Sequence, residues 1–521
     1  MSKKLVKSTA VVSGMTLISR LLGFVRDMVI ARVFGAGMGT DAFFVAFKIP
    51  NFLRRLFAEG AFSQAFVPVL SEYKSNREHE EVEQLTRKVA GTLGGILFLV
   101  TLIGVVAAPL LIMVFAPGFI GEQEKFELAS GMLRITFPYL LFISLTALAG
   151  GVLNSYGRFG VPAFTPVLLN ISMISVAIWL APHMEQPVTA LAWGVFIAGV
   201  AQLLFQLPFL FRLRLLGWPR WDWHDSGVKR IIQLMLPAIF GSSVAQINLL
   251  FDTLLASLLV TGSVSWLYYS DRLVEFPLGV FGIALATVIL PSLSRQHASR
   301  SPEEFSRTLD WALRWVLLLG TPCSVGLFIL AGPMLTTLFH YGEFAAVDVQ
   351  MASLSLMAYA LGLLGFILVK VLAPGYYARQ DTRTPVRIGV IAMLANMVLN
   401  VLFVAPLVWL DVPGPHTGLA LATACSAFLN AGLLLRGLRR EGVFQAQPGW
   451  GRLLLQVLLA NLVLAVVVGY SAGVTAEWLA WGWMERVGRL AFSIGAGALA
   501  YGAVLWLLGI RPAQLLGRST G

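Results

Sequence analysis

The sequence predicts an all-α integral membrane protein with fourteen transmembrane helices, arranged as two pseudo-symmetric six-helix lobes followed by two C-terminal helices. Three observations lead to this prediction. Hydrophobic residues make up 57% of the 521 residues and charged residues only 12%, whereas soluble domains carry about 25% charged residues. Apolar stretches long enough to cross a bilayer recur from end to end. Two parts of the chain also repeat each other.

The apolar stretches account for nearly the whole chain. A helix needs about 20 predominantly apolar residues to span the hydrocarbon core. The stretches lie at roughly 9–34, 42–72, 89–116, 129–154, 162–181, 188–211, 231–259, 264–293, 309–331, 348–375, 385–406, 416–436, 453–472 and 487–509. The first follows Lys3, Lys4 and Lys7 and could be taken for a signal peptide, but Arg20 and Arg26 interrupt it. We therefore expect it to be retained as the first helix.

Lys and Arg residues are distributed unevenly among the predicted loops. Cytoplasmic loops of membrane proteins hold an excess of these residues. If the N-terminus is cytoplasmic, the segments on that side hold 25 basic residues and the opposite loops hold one, Lys125. Arg134, Arg486 and Arg489 lie near outer helix ends and change this difference little. Both termini are predicted to be cytoplasmic, and the net charge of +11 indicates attraction to anionic inner-leaflet lipid rather than nucleic-acid binding.

Two sequence matches indicate an internal repeat. Residues 152–167, VLNSYGRFGVPAFTPV, align without a gap with residues 371–386, VLAPGYYARQDTRTPV, at an offset of 219. The segment PVLS from Pro68 matches PSLS from Pro291 at an offset of 223. Duplicated halves are common in transporters, where the substrate site lies between them.

The repeat predicts the domain organisation. The N-terminal lobe takes residues 1–211, an interfacial cytoplasmic linker 212–230, the C-terminal lobe 231–440, and the two remaining helices 441–521. The linker mixes basic residues with Trp218, Trp221 and Trp223, a composition that suits the level of the lipid headgroups.

Several cations lie inside the predicted membrane-spanning segments. A charged side chain near the bilayer centre costs about 2.5–3.5 kcal/mol on insertion scales, so these cations must face water, counter-charges or an anionic ligand. They are Arg20 and Arg26 in the first segment, Lys48, Arg54 and Arg55 in the second, and Arg272 in the eighth. We infer a cationic cavity, because guanidinium groups bind phosphate through paired hydrogen bonds.

An alternative interpretation is that carboxylates neutralise these cations, and that internal ion pairs hold the lobes together. The nearby carboxylates are Asp27, Asp41, Glu59, Asp252, Asp271 and Glu275. Arginines outnumber the carboxylates in the first two helices, which favours a ligand that carries phosphates. In the eighth helix, the spacing of Arg272 and Glu275 allows pairing within the helix. Arg314 follows Asp310 by four residues, which predicts an ordinary surface pair.

The positions of these charges also predict distortions in the first two helices. Arg20 and Asp27 share one face of a regular helix, whereas Arg26 points about 120° away. Gly23 lies between the two arginines, so we predict a bend or local unwinding there. Pro50 removes a backbone hydrogen bond from the second helix and should bend it as well.

Three long segments carry a family resemblance that covers essentially the whole chain. They are SRLLGFVRDMVIARVFGAGMGTDAFFVAFKIPNFLRRLFAEGAFSQAFVPVLSEY, GSVSWLYYSDRLVEFPLGVFGIALATVILPSLS and VKVLAPGYYARQDTRTP. They resemble the MurJ (MviN) lipid II flippases of the multidrug/oligosaccharidyl-lipid/polysaccharide exporter superfamily. The resemblance implies a transporter, not an enzyme. It would move the undecaprenyl-diphosphate-linked peptidoglycan precursor from the cytoplasmic to the periplasmic leaflet of the bacterial inner membrane by alternating access.

The resemblance also implies roles for individual residues. Substrate binding would fall on Arg20, Arg26, Arg54, Arg272 and Asn51. Gating or charge support would fall on Asp41, Glu275, Asp27 and Asp271, with Asp41 and Glu275 fixing an arginine or closing the periplasmic side. A groove between the last two helices and the second lobe would hold the polyprenyl tail.

Cofactors and metals are not expected, because the Cys and His residues show no ligand spacing. Energy coupling stays open between the membrane potential acting on a charged cavity and a monovalent cation. The resemblance implies a cation site between the seventh and eleventh helices, where Asp252 would serve. The eleventh helix offers Asn396 and Asn400 but no deep carboxylate. The expected partners are lipid II and membrane lipids, and cell-wall synthesis proteins stay an open alternative.

Two other functions are weighed against this one. A drug or cation antiporter on the same fold should present acidic and aromatic groups to its cavity, which the excess of arginine disfavours. A membrane enzyme acting on lipid-linked sugars would need positioned acids, bases or a metal site. The sequence has no clustered histidines and no paired carboxylates on a loop.

Overall fold

The computed structural model describes residues 3–56 and 62–510, and Glu59 lies outside these ranges. This part of the chain forms twenty α-helices and no β-strand. The helices are α1 Lys3–Phe34, α2 Met38–Arg54, α3 Ser63–Asn76, α4 His79–Val106, α5 Ala108–Phe115, α6 Gln123–Thr136, α7 Tyr139–Ser155, α8 Gly160–Ser175, α9 Thr189–Arg212, α10 Ser226–Ser257, α11 Ser263–Pro277, α12 Ala284–Ala298, α13 Pro302–Ile329, α14 Ala331–Phe339, α15 Ala346–Tyr377, α16 Arg383–Trp409, α17 Thr417–Arg440, α18 Trp450–Ala472, α19 Thr475–Ala480 and α20 Trp483–Leu507.

Many of these helices are long enough to span a membrane. Among the described residues, eleven helical segments are long and apolar enough to cross a bilayer. The predicted class, an all-α multi-pass membrane protein, is therefore confirmed, and the count of fourteen spans stays a prediction. Some predicted spans consist of two helices, because the stretch 89–116 is divided into α4 and α5 at Ala107.

The internal repeat is visible in the helix ends. α13 begins and ends 223 residues after α4. The turns that follow α7 and α15 also correspond, because Gly157 and Gln380 both have positive φ, 74° and 62°. The next residues, Arg158 and Asp381, each donate a backbone hydrogen bond to the carbonyl five residues earlier, at 2.8 and 3.1 Å. The register of the repeat is thus 223, and the alignment of this loop at an offset of 219 is wrong.

A π-helical segment occurs at the same place in both repeats. α2 is followed by π-helical hydrogen bonding at residues 55–56, and α11 is followed by the π-helix Leu278–Ile283. The first residues of the two segments, Arg55 and Leu278, are again 223 apart. Pro50 lies inside α2, and the bend expected there stays a prediction.

The contacts divide the chain into two compact units, Met1–Ser265 and Trp266–Gly521. The first unit has a core to which α3, α4, α7, α9 and α10 all contribute. Its buried side chains include Phe66, Leu85, Val152, Leu210 and Val228. By its contacts α10 belongs to the first unit, and the predicted lobe boundaries at 211 and 231 stay predictions.

The linker 212–230 crosses the cytoplasmic end predicted for α4 and becomes helical only where α10 begins. The backbone N–H of Arg220 donates to the carbonyl of Arg87 at 3.0 Å. Gly91 lies directly under this contact, and a Cβ there would overlap the backbone of Arg220. Gly95 makes room in the same way for the ring of Trp221. The absence of two side chains on α4 therefore permits the linker to pack against it.

Asp225 connects the linker to α10. Its carboxylate accepts hydrogen bonds from the backbone N–H groups of Gly227 at 2.9 Å and Val228 at 3.2 Å, and from Lys88 Nζ at 2.7 Å. Burial by itself would raise the pKa of Asp225, but these hydrogen bonds outweigh it and lower the pKa below its usual value. The ionised side chain caps the N-terminus of α10, where negative charge is favourable.

In the second unit, α18 and α20 pack against α13. Asn461 of α18 donates to Thr321 Oγ1 at 2.9 Å, and Tyr501 of α20 donates to the carbonyl of Leu318 at 2.9 Å. These hydrogen bonds fix the two C-terminal helices to the unit. The groove expected beside them for a lipid tail stays a prediction.

Asp310 and Arg314 do not form the ordinary surface pair that their spacing predicts. Asp310 is buried and accepts hydrogen bonds from Arg314 Nε at 2.7 Å, Trp450 Nε1 at 2.7 Å and the backbone N–H of Gln447 at 3.0 Å. Arg314 in turn donates to the carbonyl of Pro448 at 3.0 Å. The pair is part of a network that fastens α13 to the loop before α18.

Candidate functional site

Arg26 is the most deeply buried of the predicted site arginines in the first unit. Its Nε and Nη2 donate to Asp27 Oδ1 at 2.9 and 2.7 Å, and its Nη1 donates to Asn170 Oδ1 at 3.1 Å. The amide of Asn170, on α8, also donates to the carbonyl of Ser19 at 2.9 Å. The guanidinium is thus held by an acid on its own helix and by an amide from a neighbouring helix. Such charge-assisted hydrogen bonds are about twice as strong as neutral ones.

α1 stays helical through the two arginines. The helix runs from Lys3 to Phe34 without interruption, so local unwinding at Gly23 is wrong, and the alternative of a bend there stays a prediction. Arg20 is exposed and Arg26 is buried, as expected for two residues that point in different directions from one regular helix. Gly23 faces the side chain of Asn170, and a Cβ there would make an ordinary van der Waals contact with the amide at 3.6 Å.

The second group of site residues lies near the end of α2. Arg54 Nε donates to Asn51 Oδ1 at 2.8 Å, so the two predicted binding residues contact each other one turn apart. Lys48, one turn before Asn51 on the same helix, donates from Nζ to Thr253 Oγ1 of α10 at 2.9 Å. All three polar side chains are partly buried. Each of the two cations is therefore oriented by a neutral oxygen.

Asp41, near the start of α2, has a different partner from the one expected. It is buried and accepts hydrogen bonds from the backbone N–H of Gly262 at 2.7 Å, and from the N–H and Oγ of Ser265 at 2.9 and 2.7 Å. Lys125 Nζ lies 3.3 Å from its Oδ2. Asp41 therefore fixes a lysine and the first turn of α11. In the described part of the chain, no ion pair between Asp41 and an arginine is found.

In the second unit, Arg272 is held by residues of its own helix. Its Nη1 lies 2.7 Å from Glu275 Oε2, which confirms the pairing within α11 that the spacing allows. Its Nη2 also donates to Tyr268 Oη at 3.2 Å. About one third of the Arg272 side chain is exposed, and Asp271 beside it is exposed as well. This guanidinium is oriented but accessible.

The residues predicted to form a cation site lie on two helices. Asp252 lies on α10 in the first unit and is partly buried, whereas Asn396 and Asn400 lie on α16 in the second unit and are fully buried. The predicted pairing of these helices around a cation stays a prediction. Within residues 3–56 and 62–510, no three His, Cys, Asp or Glu side chains lie close enough to hold a metal ion.

The structure adds three residues that the sequence interpretation did not assign to the site. Asn170 holds Arg26, Tyr268 holds Arg272, and Lys125 pairs with Asp41. Tyr268 is one turn from Arg272 and could have been found from helical spacing. Asn170 and Lys125 are distant in sequence from their partners. The only signals available were a lone asparagine in an apolar stretch and a lone lysine in the loops predicted to be periplasmic.

Replacing Asn170 by Leu is expected to reduce transport by about tenfold, because one hydrogen bond to a charged group contributes about 1.5–3 kcal/mol. The variant N170D should lose less, since a carboxylate still accepts from Arg26. The measurement is the rate of substrate translocation in liposomes, with thermal unfolding followed in parallel. Asn154, an exposed residue at the end of α7, provides the matched control N154L. Equal rates for N170L and N154L would contradict the assigned role.

Known proteins resemble this chain over most of its length. A family model described as "Lipid II flippase MurJ" matches residues 30–487. A "Probable lipid II flippase MurJ" of Vibrio cholerae serotype O1 is 52% identical over 521 residues, covering 99% of this chain and 98% of that protein. A "Lipid II flippase MurJ" of Burkholderia cenocepacia is 43% identical over 521 residues, covering 99% of both chains.

Solved structures give the same result for the fold. The structure described as "Lipid II flippase MurJ, inward closed conformation" has a TM-score of 0.79 and 27% identity, covering 95% of this chain and 97% of that chain. An inward-facing multidrug resistance MATE family transporter of the MOP superfamily has a TM-score of 0.62 and 16% identity, covering 83% and 98%. The second likeness concerns the fold alone.

The multi-pass helical fold, together with a family model and relatives that are all named as flippases, makes this protein a membrane transporter rather than an enzyme. The chain belongs to the lipid II flippase MurJ family.

Proposed function

We propose that this protein moves lipid II, the undecaprenyl-diphosphate-linked peptidoglycan precursor, from the cytoplasmic to the periplasmic leaflet of the bacterial inner membrane. The two lobes would alternate in access around the headgroup while the polyprenyl tail stays in the lipid. A cationic cavity lined by Arg20, Arg26, Arg54 and Arg272, with Asn51, would bind the diphosphate. No covalent chemistry is required.

The observation that carries the proposal is the way in which three guanidinium groups are held. Each of these groups donates a hydrogen bond to a neighbouring side chain, which orients it. The three are Arg26 on α1, Arg54 on α2 and Arg272 on α11. A guanidinium whose geometry is already fixed loses little conformational entropy when it binds phosphate oxygens. A carboxylate in the same position would repel the diphosphate, so the charge of the site favours an anionic lipid over a cationic drug.

The expected topology is part of this proposal. Fourteen spanning helices with both termini in the cytoplasm would place α6 on the periplasmic side, where Lys125 was counted as the one basic loop residue. That lysine lies in the first turn of α6 and is buried against Asp41. Its charge is paired inside the protein. The loops predicted to be periplasmic therefore expose still less positive charge, which supports the positive-inside orientation.

Asp41 would close the periplasmic side in one state of the cycle. The hydrogen bonds that it accepts from Gly262 and Ser265 hold the start of α11 against α2. We call this arrangement, made of Asp41, Gly262 and Ser265, the Asp41 latch. Opening toward the periplasm would require these hydrogen bonds to break, and closure would restore them. Glu275 would act at Arg272 as charge support.

Energy coupling is proposed to act through the charges of the moving site. A conformational change follows a ligand or a field only if the two states interact with it differently. Moving one elementary charge across 100 mV changes the free energy by about 2.3 kcal/mol, so the membrane potential suffices for a site with a net positive charge. A monovalent cation at Asp252 is the second candidate, and cell-wall synthesis proteins are candidate partners.

The direct test is reconstitution in liposomes with lipid II in one leaflet and leaflet-specific detection of its headgroup. The protein should accelerate the appearance of lipid II in the opposite leaflet, and a polyprenyl lipid that lacks the diphosphate should not be moved. Imposing a membrane potential, and separately exchanging Na⁺ for K⁺, distinguishes the two coupling schemes. Equal transport of both lipids, or export of a cationic dye instead of lipid II, would contradict the proposal.

A further inference from the structure

Lys125 is among the most completely buried charged side chains of the described residues, with 1% of its surface exposed. Its Nζ lies 3.3 Å from Asp41 Oδ2, 3.0 Å from Thr261 Oγ1 and 4.5 Å from the centre of the Phe119 ring. A second carboxylate, Glu122, lies 3.8 Å away and is about half exposed. The ammonium group thus contacts one residue of the Asp41 latch and one residue of the loop that precedes α11.

The burial of Asp41 explains why a cation is needed at this place. Its carboxylate is 1% exposed and accepts hydrogen bonds from the backbone N–H groups of Gly262 and Ser265. Backbone donors stabilise a negative charge but leave a buried carboxylate without a counter-ion, which is unfavourable in a medium of low dielectric constant. Lys125 is the cation that the structure places within 4 Å of Asp41 among the described residues.

The contact with Thr261 gives the lysine a second function. Thr261 belongs to the short loop between α10 and α11, and its hydroxyl also lies 3.3 Å from both Glu122 carboxylate oxygens. A further hydrogen bond joins the same region to α10, because Gly118 N–H donates to Ser257 Oγ at 3.2 Å. Lys125 therefore holds the carboxylate of the latch and, at the same time, the loop whose N–H groups the carboxylate binds.

We propose that Lys125 is a positioning residue of the transport cycle, whose charge balances the Asp41 carboxylate and holds it in place so that the latch can close on the first turn of α11. This assignment rests on the alternating-access part of the proposed function. Lys125 does not contact the substrate. Its loss changes the fraction of time that the latch is closed, and the oriented arginines stay intact.

The test measures opening of the latch without any lipid substrate. Ser263, the first residue of α11, is fully buried and contributes no side chain to the latch, so S263C is a conservative probe. With the native cysteines removed (C323A, C425A), a membrane-impermeant maleimide labels this cysteine only when the start of α11 is released. L258C, at a residue that is 56% exposed, reports the labelling rate of an accessible cysteine in the same loop region.

In the S263C background, K125M is expected to accelerate labelling by about tenfold or more, since it leaves a buried carboxylate without its cation. K125R, which keeps the charge, should label more slowly than K125M. The double variant K125M/D41N should label clearly more slowly than K125M, because a neutral amide needs no counter-ion and its oxygen still accepts from one of the two backbone N–H groups. K88M removes a paired lysine at Asp225 instead and should leave the labelling rate unchanged.

Two results would overturn the assignment. One is an unchanged labelling rate in K125M, and the other is a double variant that labels as fast as K125M alone. Should K125M fail to accumulate in the membrane, K125R and K125M/D41N carry the same comparison, because the second restores neutrality. If the labelling pattern holds while the wild type moves no lipid II in liposomes, the proposed function fails and the role of Lys125 in the latch stands.

Discussion

Neutralising Arg26 together with its acid, in the double variant R26Q/D27N, is expected to reduce lipid II translocation by about 100-fold while the protein stays folded. The expected size follows from the loss of two charge-assisted hydrogen bonds to a diphosphate, each contributing about 1.5–3 kcal/mol, where 1.4 kcal/mol corresponds to a factor of ten. The measurement is the initial rate in the leaflet-specific liposome assay, together with the midpoint of thermal unfolding.

The double variant is needed because the single one confounds two effects. R26A leaves Asp27 buried, at 1% exposure, without its cation, and breaking a buried pair in this way costs about 3–5 kcal/mol of stability. R26A should therefore lose both transport and thermal stability, whereas R26Q/D27N loses transport alone. The matched control is R77Q/E81Q, which neutralises an exposed pair at the connection between α3 and α4.

A wild-type rate in R26Q/D27N would support the other interpretation of these charges. Arg26 and Asp27 would then be an internal ion pair that stabilises α1 against α8, and the diphosphate would have to be bound elsewhere. R26K helps to separate the cases, since it keeps the charge and loses the paired geometry of the guanidinium. An intermediate rate for R26K is expected if the group binds phosphate oxygens.

Replacing Arg272 by Ala is expected to reduce translocation by a similar factor, about 100-fold, with almost no loss of thermal stability. About one third of its side chain is exposed and its acid, Glu275, is about half exposed. Exposed pairs of this kind contribute about 0–1 kcal/mol to the free energy of unfolding. The loss of the guanidinium should therefore weaken substrate binding and leave the stability of the fold almost unchanged. Rates and unfolding midpoints are measured as for Arg26.

Two further variants test the environment of Arg272. E275Q removes the carboxylate that lies 2.7 Å from the guanidinium and should lower the rate only several-fold, because the cation itself remains. Y268F removes the hydroxyl that accepts from Nη2 and serves as the control of similar size. A rate for R272A that equals that of Y268F would remove Arg272 from the binding site.

The helical parts of the fold could be predicted from the sequence because their physical cause is local. Apolar stretches of sufficient length, and lysines and arginines confined to one set of loops, need no knowledge of tertiary contacts. The repeat was found in the same way, but its register at the loop after α7 was wrong by four residues. Four residues are about one helical turn, so such a shift keeps the same face apolar and escapes detection by pattern.

The conformation of the turns decides the register, and this is poorly visible in the sequence. Gly157 is an obvious residue for positive φ, whereas Gln380, which occupies the equivalent position, is not. The wrong prediction of unwinding at Gly23 has a related origin. A glycine in a helix can mark a break in the hydrogen bonding or simply a position beside another side chain, and the sequence does not distinguish the two.

The sequence indicated the cations of the candidate site and the partners close to them in the chain, but not the distant partners. Arg26, Arg54 and Arg272 are recognisable because charge inside an apolar stretch is costly. Asn170, Lys125 and Trp450 act on residues about 80 to 145 positions away, and nothing in local spacing links them. Asp310 was assigned to the surface for the same reason, since its partners lie in the loop before α18.

The π-helical segments that begin at Arg55 and Leu278 bear on the ancestry of the protein. An inserted residue in a helix is rare, and two independent insertions at the same position of two halves are far less probable than one insertion before duplication. The half-length ancestor therefore already had this irregular helix. Arg54 in one half now corresponds to Pro277 in the other, and Lys48 to Asp271. The two halves thus share an irregular backbone and differ in the polar side chains that they carry beside it, so a change of charge in either half needs no change of the backbone.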